Sequence, residues 1–185
     1  SWKSCQFVRL FGLSGYYRVR DAATGSIVLS QQLPSGDICV EAHDVPSIGY
    51  RTYYLESLSQ PAAKPVVHDE ELHSPFFQVE LNSASGAINR IIDLRTHRVI
   101  VNPASGGMVG VLETAPKSAA TTAVSGPVKI QHVRGPLFDY VVIDRLGSAW
   151  RSTVIALPQD RPEIDLTETL DRSKMPFVPN KQQGI

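Results

Sequence analysis

The side chains with which this sequence could do chemistry are five histidines and a set of dispersed carboxylates. His68 and His73 flank the acidic run Asp69–Glu71, and such a grouping can bind a metal ion. Zinc sites, however, hold their ligands on rigid elements, and this stretch has the composition of an exposed connection, so we predict no metal site. His132 alternates with Ile130, which predicts a strand residue instead of a catalyst.

Carboxylates can also act in pairs, as the hydrolysis of glycosides requires. Two pairs are candidates, Asp139 with Asp144 and Glu163 with Asp165. All four alternate with apolar neighbours, so the simpler interpretation places them on the solvent-facing side of antiparallel strands. The Ser-Gly segments lack the strand-to-helix context of a nucleophile elbow, and no Gly-rich phosphate loop precedes a helix. The sequence therefore predicts no catalytic, cofactor-binding or metal-binding residue in this chain.

Composition excludes several classes of partner. The 185 residues are 42% hydrophobic, and 18 Lys and Arg balance 18 Asp and Glu, so the chain has no basic surface for nucleic acid or acidic lipid. No apolar run approaches the roughly 18 residues of a membrane helix. Cys5 and Cys39 are predicted to be free thiols, with a disulfide left open if their strands are neighbours. Two cysteines do not define a compartment.

The element that must position any of these side chains is a compact stretch from Phe76 to Val101. Apolar residues alternate with polar ones from Phe77 to Leu81, the period of a strand with one buried face. Asn82–Gly86 and Asp93–His97 supply turn chemistry, with Gly86 and His97 at positions that need a positive φ. The stretch therefore predicts a three-stranded meander.

The rest of the chain repeats this pattern of short strands and turns, and no apolar period of 3.6 is sustained. The fold class predicted is all-β, an antiparallel β-sandwich. We assign residues 1–58 to a small β-domain, 59–73 to a linker, and 74–185 to a larger β-sandwich that is incomplete at its C-terminal end. Besides the meander, the predicted strands are Phe7–Leu10, Tyr16–Val19, Ser26–Leu29, Asp37–Ala42, Tyr50–Leu55, Val128–Arg134, Phe138–Arg145, Trp150–Leu157 and Ile164–Leu170.

Several motifs, in order along the chain, resemble the C-terminal β region of the family 38 glycoside hydrolases, the α-mannosidases. Asp44–Tyr53 is similar to the family's V-P-x-x-G-Y-x-x-Y segment. Phe76–Ile88 resembles its strand and D/N-x-x-T/S-G-x-I/L turn, and Ile91–Thr96 resembles its I-x-D-x-x-T turn. Gly135–Leu137 and Leu170–Arg172 fall where the family has G-P-L/V and L/V-D.

The resemblance implies a retaining, zinc-dependent α-mannosidase as the parent protein. It implies that the zinc ion, the aspartate nucleophile and the acid/base carboxylate belong to a separate N-terminal α/β barrel. This chain is then a non-catalytic, galactose-mutarotase-like supersandwich preceded by a small β-domain, which packs against that barrel and is expected to be inactive alone. No catalytic residue transfers to this chain, and its expected partners are mannosides, reached through the parent enzyme.

Two other functions remain open from the residues alone. Tyr50, Tyr53, Tyr54 and Trp150 could stack on sugar rings, which would make the chain an independent carbohydrate-binding β-sandwich. Core packing is the commoner fate of such aromatic residues. A structural or partner-docking β-domain of a non-enzyme is the third possibility, since no catalytic motif is present.

Overall fold

Strands make up nearly all of the regular structure. The computed structural model describes residues 4–46, 48–61, 71–102 and 127–174. These residues form fourteen strands, paired antiparallel throughout, and one short 3-10 helix at Arg172–Lys174, so the all-β prediction is confirmed. The strands are β1 (Ser4–Leu10), β2 (Tyr16–Asp21), β3 (Ile27–Val28), β4 (Ser30–Gln32), β5 (Ile38–Val45), β6 (Tyr53–Leu58), β7 (Glu71–His73), β8 (Phe77–Leu81), β9 (Ile88–Asp93), β10 (Arg98–Val101), β11 (Val128–Arg134), β12 (Phe138–Arg145), β13 (Trp150–Pro158) and β14 (Asp165–Leu170).

The strands form four sheets, which we name A to D. Sheet A has the strand order β1-β5-β4, and sheet B has the order β3-β2-β6. Sheet C has the order β10-β9-β8-β7, and sheet D has the order β11-β12-β13-β14. Sheets A and B thus come from the first part of the chain, and sheets C and D come from the second part.

The four sheets are stacked in the order B, A, D, C, with an apolar core between each neighbouring pair. Sheets C and D enclose Leu72, Phe77, Val79, Leu81, Ile88, Ile91, Val141, Ile143, Ile155 and Leu157. Sheets D and A meet through Leu33, Cys39, Leu137, Phe138, Tyr140 and Ala156, with Phe7 packed against them. Sheets A and B enclose Val19, Ile38 and Val40. Sheets A and D are therefore covered on both faces, which is why β12 buries its successive residues Phe138–Val141.

The meander has the predicted three strands, β8, β9 and β10, and the structure adds a fourth. Glu71–His73, which the sequence placed in the linker, form β7 and pair with Gln78–Glu80 at the edge of sheet C. That part of the linker assignment is wrong. A three-residue strand has too short a pattern to be visible in the sequence, and its pairing with β8 and its buried Leu72 stabilise it.

Three hairpin loops, Asp21–Gly25, Asn82–Gly86 and Asp93–His97, share one spacing of residues, and two of them have the same hydrogen bonds. The side-chain oxygens of Asp21 and Asn82 each accept the N–H groups two and three residues on, and their carbonyls accept the N–H of Gly25 and Gly86. Gly25 has φ 70° and Gly86 has φ 66°. In the third loop His97 has φ 54°, so the predicted left-handed position is confirmed.

Hydrogen bonds of the Gln31 side chain connect sheet A to sheet D. Gln31 on β4 accepts the N–H groups of Leu137 (3.1 Å) and Phe138 (2.9 Å) and donates to the Phe138 carbonyl (3.0 Å). Its neighbour Gly135 is fitted to it, since a Cβ there would lie 2.4 Å from the Gln31 Cδ. The sequence missed β4, because the chain leaves sheet B at Val28 and enters sheet A at Ser30.

The two cysteines lie at different points of the paired strands β1 and β5. Cys39 is opposite Arg9, whereas the strand segment around Cys5 pairs near Ala42 and Val45. Cys39 is a free, buried thiol, as predicted, and burial raises its pKa.

Candidate functional site

Among the described residues, the candidate sites are a buried polar cluster at each end of β12 and an exposed surface of sheet B with aromatic rings. The first cluster is centred on Asp139 of β12, which is completely buried. Its Oδ1 contacts the Nε2 of His132, and its Oδ2 accepts the backbone N–H of His73 at 2.7 Å and the Nε of Arg134 at 3.0 Å. The carboxylate thus has partners from both β7 and β11.

The protonation of Asp139 is set by two opposing effects. Burial alone would raise the pKa of its carboxyl, but the hydrogen bonds from His132 and from the His73 backbone bring the pKa below its ordinary value. Asp139 is therefore a buried anion, and its predicted position on the solvent-facing side of a strand is wrong. The β11–β12 register places Arg134 directly opposite Asp139, and His132 two residues away on the same face of β11. A hairpin alignment around Gly135–Pro136 would have indicated this cluster.

The second cluster lies at the other end of β12, around the buried guanidinium of Arg145. Arg145 donates to Thr153 Oγ1 (2.7 Å) and to the Gly86 carbonyl (3.2 Å), and it lies 5.1 Å from the ring centroid of Trp150. Glu168 of β14 accepts from Thr153 at 2.7 Å and from the indole N–H of Trp150. Burial lowers the pKa of Arg145. The cluster fixes the Asn82–Gly86 loop against sheet D.

The first candidate pair of carboxylates does not form a catalytic arrangement. Asp139 and Asp144 are five residues apart on one strand, about 17 Å, and point to opposite faces. Glycosidases need carboxyl groups about 5–10 Å apart across the substrate. Glu163 accepts a 2.7 Å hydrogen bond from Arg161, and both Glu163 and Asp165 are exposed, as predicted.

The histidines that the structure describes do not converge either. His68, Asp69 and Glu70 lie outside the described residues, and so do both Ser-Gly segments, while His73 pairs with Glu71 at 3.1 Å. Among the residues that the structure describes, no three His, Cys, Asp or Glu side chains are grouped as metal ligands. Within the same ranges, no helix is long and apolar enough to cross a membrane.

The aromatic residues proposed for sugar stacking are separated. Trp150 is only 8% exposed, and the hydroxyl of Tyr53 is buried without a hydrogen-bond partner among the described residues. Tyr50 and Tyr54 are 87% and 60% exposed. Tyr54 lies on the outer face of sheet B, where the sequence analysis missed a second exposed ring, Tyr16 of β2.

Charged side chains lie between these two rings. Arg20 is paired opposite Tyr54, and Glu56 accepts a hydrogen bond from Arg20 at 2.9 Å and forms an ion pair with Arg18 at 3.7 Å. The outer face of sheet B therefore presents two phenol rings at the ends of a row of hydrogen-bonding groups.

The base of the loop that carries Tyr50 is fixed by Arg51. Its Nε donates to Asp21 Oδ2 at 2.5 Å, and its Nη1 donates to the His43 carbonyl at 3.1 Å. Burial alone would raise the pKa of Asp21, but the hydrogen bond from Arg51 and those from two backbone N–H groups lower it. Asp44, the second-last residue of β5, has φ 54°.

Comparison with known proteins adds no functional assignment. No protein-family model and no curated protein matches this sequence.

Proposed function

We propose that this chain is the C-terminal, non-catalytic β portion of an α-mannosidase-like glycoside hydrolase of family 38. The observation that carries the proposal is the ordered set of motifs, from Asp44–Tyr53 through Phe76–Thr96 to Leu170–Arg172, that resembles this family. In this proposal the β portion packs against an N-terminal barrel that holds the zinc ion and the catalytic carboxylates.

The positions of the motif residues support this interpretation. Asn82, Gly86 and Asp93 form the loops of the meander, and Gly135 accommodates the buried Gln31 side chain. The backbone of these loops and the packing around Gln31 require these residue types. The motifs can therefore indicate a related fold although they contain no catalytic residue. The hydrogen bonds of the buried Asp139 and Arg145 to other groups of sheets C and D support a packing role for this portion.

The 185-residue chain is expected to release no product from an aryl α-mannoside in the presence of zinc. A longer form of the protein that includes an upstream barrel with a His-x-Asp zinc motif is expected to be active in the same assay. Turnover that follows the 185-residue chain through size exclusion would contradict the non-catalytic assignment. An upstream sequence without such a barrel would contradict the family assignment.

A carbohydrate-binding module is a second candidate, favoured by the outer face of sheet B. Tyr54 and Tyr16 could stack on sugar rings while Arg18, Arg20 and Glu56 bond to hydroxyl groups. If this candidate is correct, Tyr54→Ala should weaken binding of manno-oligosaccharides about tenfold, the loss of about 1.4 kcal/mol of stacking and burial.

Isothermal titration calorimetry is the suitable measurement for that binding. The Trp150 ring is buried beside Arg145, so its fluorescence would not respond to a sugar bound on the outer face of sheet B. Tyr50→Ala is the matched control, since Tyr50 is also exposed to solvent but precedes β6 and is not one of the paired residues of sheet B. No saturable heat with the unmodified chain would exclude this candidate, and an equal loss in both variants would place the site elsewhere.

A further inference from the structure

The edge of sheet C at β7 is bonded to side chains of sheet D in place of another strand. β7 pairs with β8 on one side, with Leu72 opposite Val79. On its other side, Glu71 and His73 offer backbone groups that β8 does not use. The Glu71 carbonyl accepts from Arg134 Nη2 (3.2 Å), the His73 N–H donates to Asp139 (2.7 Å), and the His73 carbonyl accepts from Gln159 (3.1 Å).

Of these three contacts, the hydrogen bond to Asp139 is the one that water cannot replace. Arg134 and Gln159 are partly exposed, so water can replace them as donors to a carbonyl. The Asp139 carboxylate is completely buried and bonds to β7 and β11 at once. Asp139 also contacts His132 and accepts a hydrogen bond from Arg134. Water therefore cannot replace its carboxylate unless the whole cluster opens.

We propose that Asp139 is an acid-sensitive latch that holds β7, and with it the end of the connection between the two halves of the chain, against sheet D. When the latch is closed, the ionised carboxylate accepts the His73 N–H. When the carboxylate takes up a proton, it loses its charge interactions with β11, and β7 can separate from sheet D while β8–β10 stay paired.

Among the described residues, the charged side chains bonded to Asp139 come from β11. His132 and Arg134 approach it from β11, and β7 contributes the backbone of His73, while the side chains of His73 and Glu71 pair with each other. β13 places the apolar Leu157 opposite it.

The direction of the pH effect follows from the depressed pKa of Asp139. A carboxyl whose pKa is lower in the folded than in the unfolded state contributes its full stabilisation above its ordinary value of about 3.9, and loses it as the pH falls through the folded pKa. The latch is therefore closed at neutral pH and opens in acid.

β7 is short enough to open without the rest of the sheet. It has three residues, and among them only Leu72 is fully buried in the core, whereas β8 and β12 each bury three or more residues. Local openings of such edge elements cost less free energy than global unfolding.

Amide hydrogen exchange on the whole chain tests the latch. At about pH 6, the β7 amides should exchange faster than those of Val141 and Ile143 in β12, and Asp139→Asn should lower β7 protection at least tenfold. In that variant the β12 amides should remain protected. Asp144→Asn, on the same strand but outside the cluster, should leave β7 protection as in the unmodified chain.

A pH series on the unmodified chain gives an independent result if Asp139→Asn does not fold. After correction for intrinsic exchange rates, β7 protection should fall between about pH 5 and about pH 2 before β12 protection falls. Exchange of β7 and β12 at a common protection throughout this series would overturn the proposal. So would β7 protection that is unchanged in a folded Asp139→Asn variant.

Discussion

Replacing Gly86 by Ala is expected to lower the free energy of unfolding by about 2–5 kcal/mol. Two effects add at this position. Gly86 has φ 66°, where an L-residue costs about 1–2 kcal/mol. Its new Cβ would also lie 2.3 Å from Ile143 Cγ2 and 3.3 Å from Arg145 Nη2, and such overpacking costs roughly 1–3 kcal/mol. Urea unfolding followed by circular dichroism measures the change.

Gly25→Ala is the matched control for this prediction. Gly25 occupies the same position of an equivalent hairpin loop, at φ 70°, and nothing lies within 4 Å of the Cβ that would be added. It should therefore show the backbone cost alone, about 1–2 kcal/mol. The difference between the two variants in the loss of unfolding free energy measures how closely the Asn82–Gly86 loop contacts sheet D. Equal losses would mean that the loop does not press against Ile143.

The second large effect is expected for Gln31→Leu, with a loss of roughly 3–5 kcal/mol in the free energy of unfolding. The change removes the acceptor of the Leu137 and Phe138 N–H groups and the donor to the Phe138 carbonyl. All are at the buried contact between sheets A and D, where each unsatisfied polar group costs about 1–3 kcal/mol. Guanidinium unfolding provides the measurement.

Gln32→Leu serves as the comparison for Gln31→Leu, since it makes the same chemical change one residue along β4. The Gln32 amide donates to the carbonyls of Gly15 (2.9 Å) and Gly36 (3.3 Å), within reach of water. Its loss should cost less than about 1 kcal/mol. Comparable losses in the two variants would contradict the assignment of Gln31 as the clamp between sheets A and D.

The sequence was sufficient for features that depend on neighbouring residues. Alternation predicted β8, β9 and β10, and the spacing of Asn82, Gly86 and His97 predicted two loops with the observed backbone. The long strands β11 to β14 were also predicted within about one residue of their observed ends. In these elements the local preference and the tertiary packing agree.

The features that the sequence did not predict depend on residues far apart along the chain. Asp139 is buried because His132, Arg134 and the β7 backbone surround it, and the position of β7 is not encoded near Asp139. The alternation of polar and apolar residues around Asp139 predicted a sheet with one solvent-exposed face. Sheet D is instead covered on both faces.

The stacking of the sheets affects what would happen if the chain were cut. Sheets A and D share the core around Phe7, Leu137 and Phe138, and Gln31 crosses between them. A protease that cleaved once between residues 61 and 71 would break the chain but not this contact. The two products should remain a non-covalent pair in native buffer, because separating them would expose the apolar faces of sheets A and D to water.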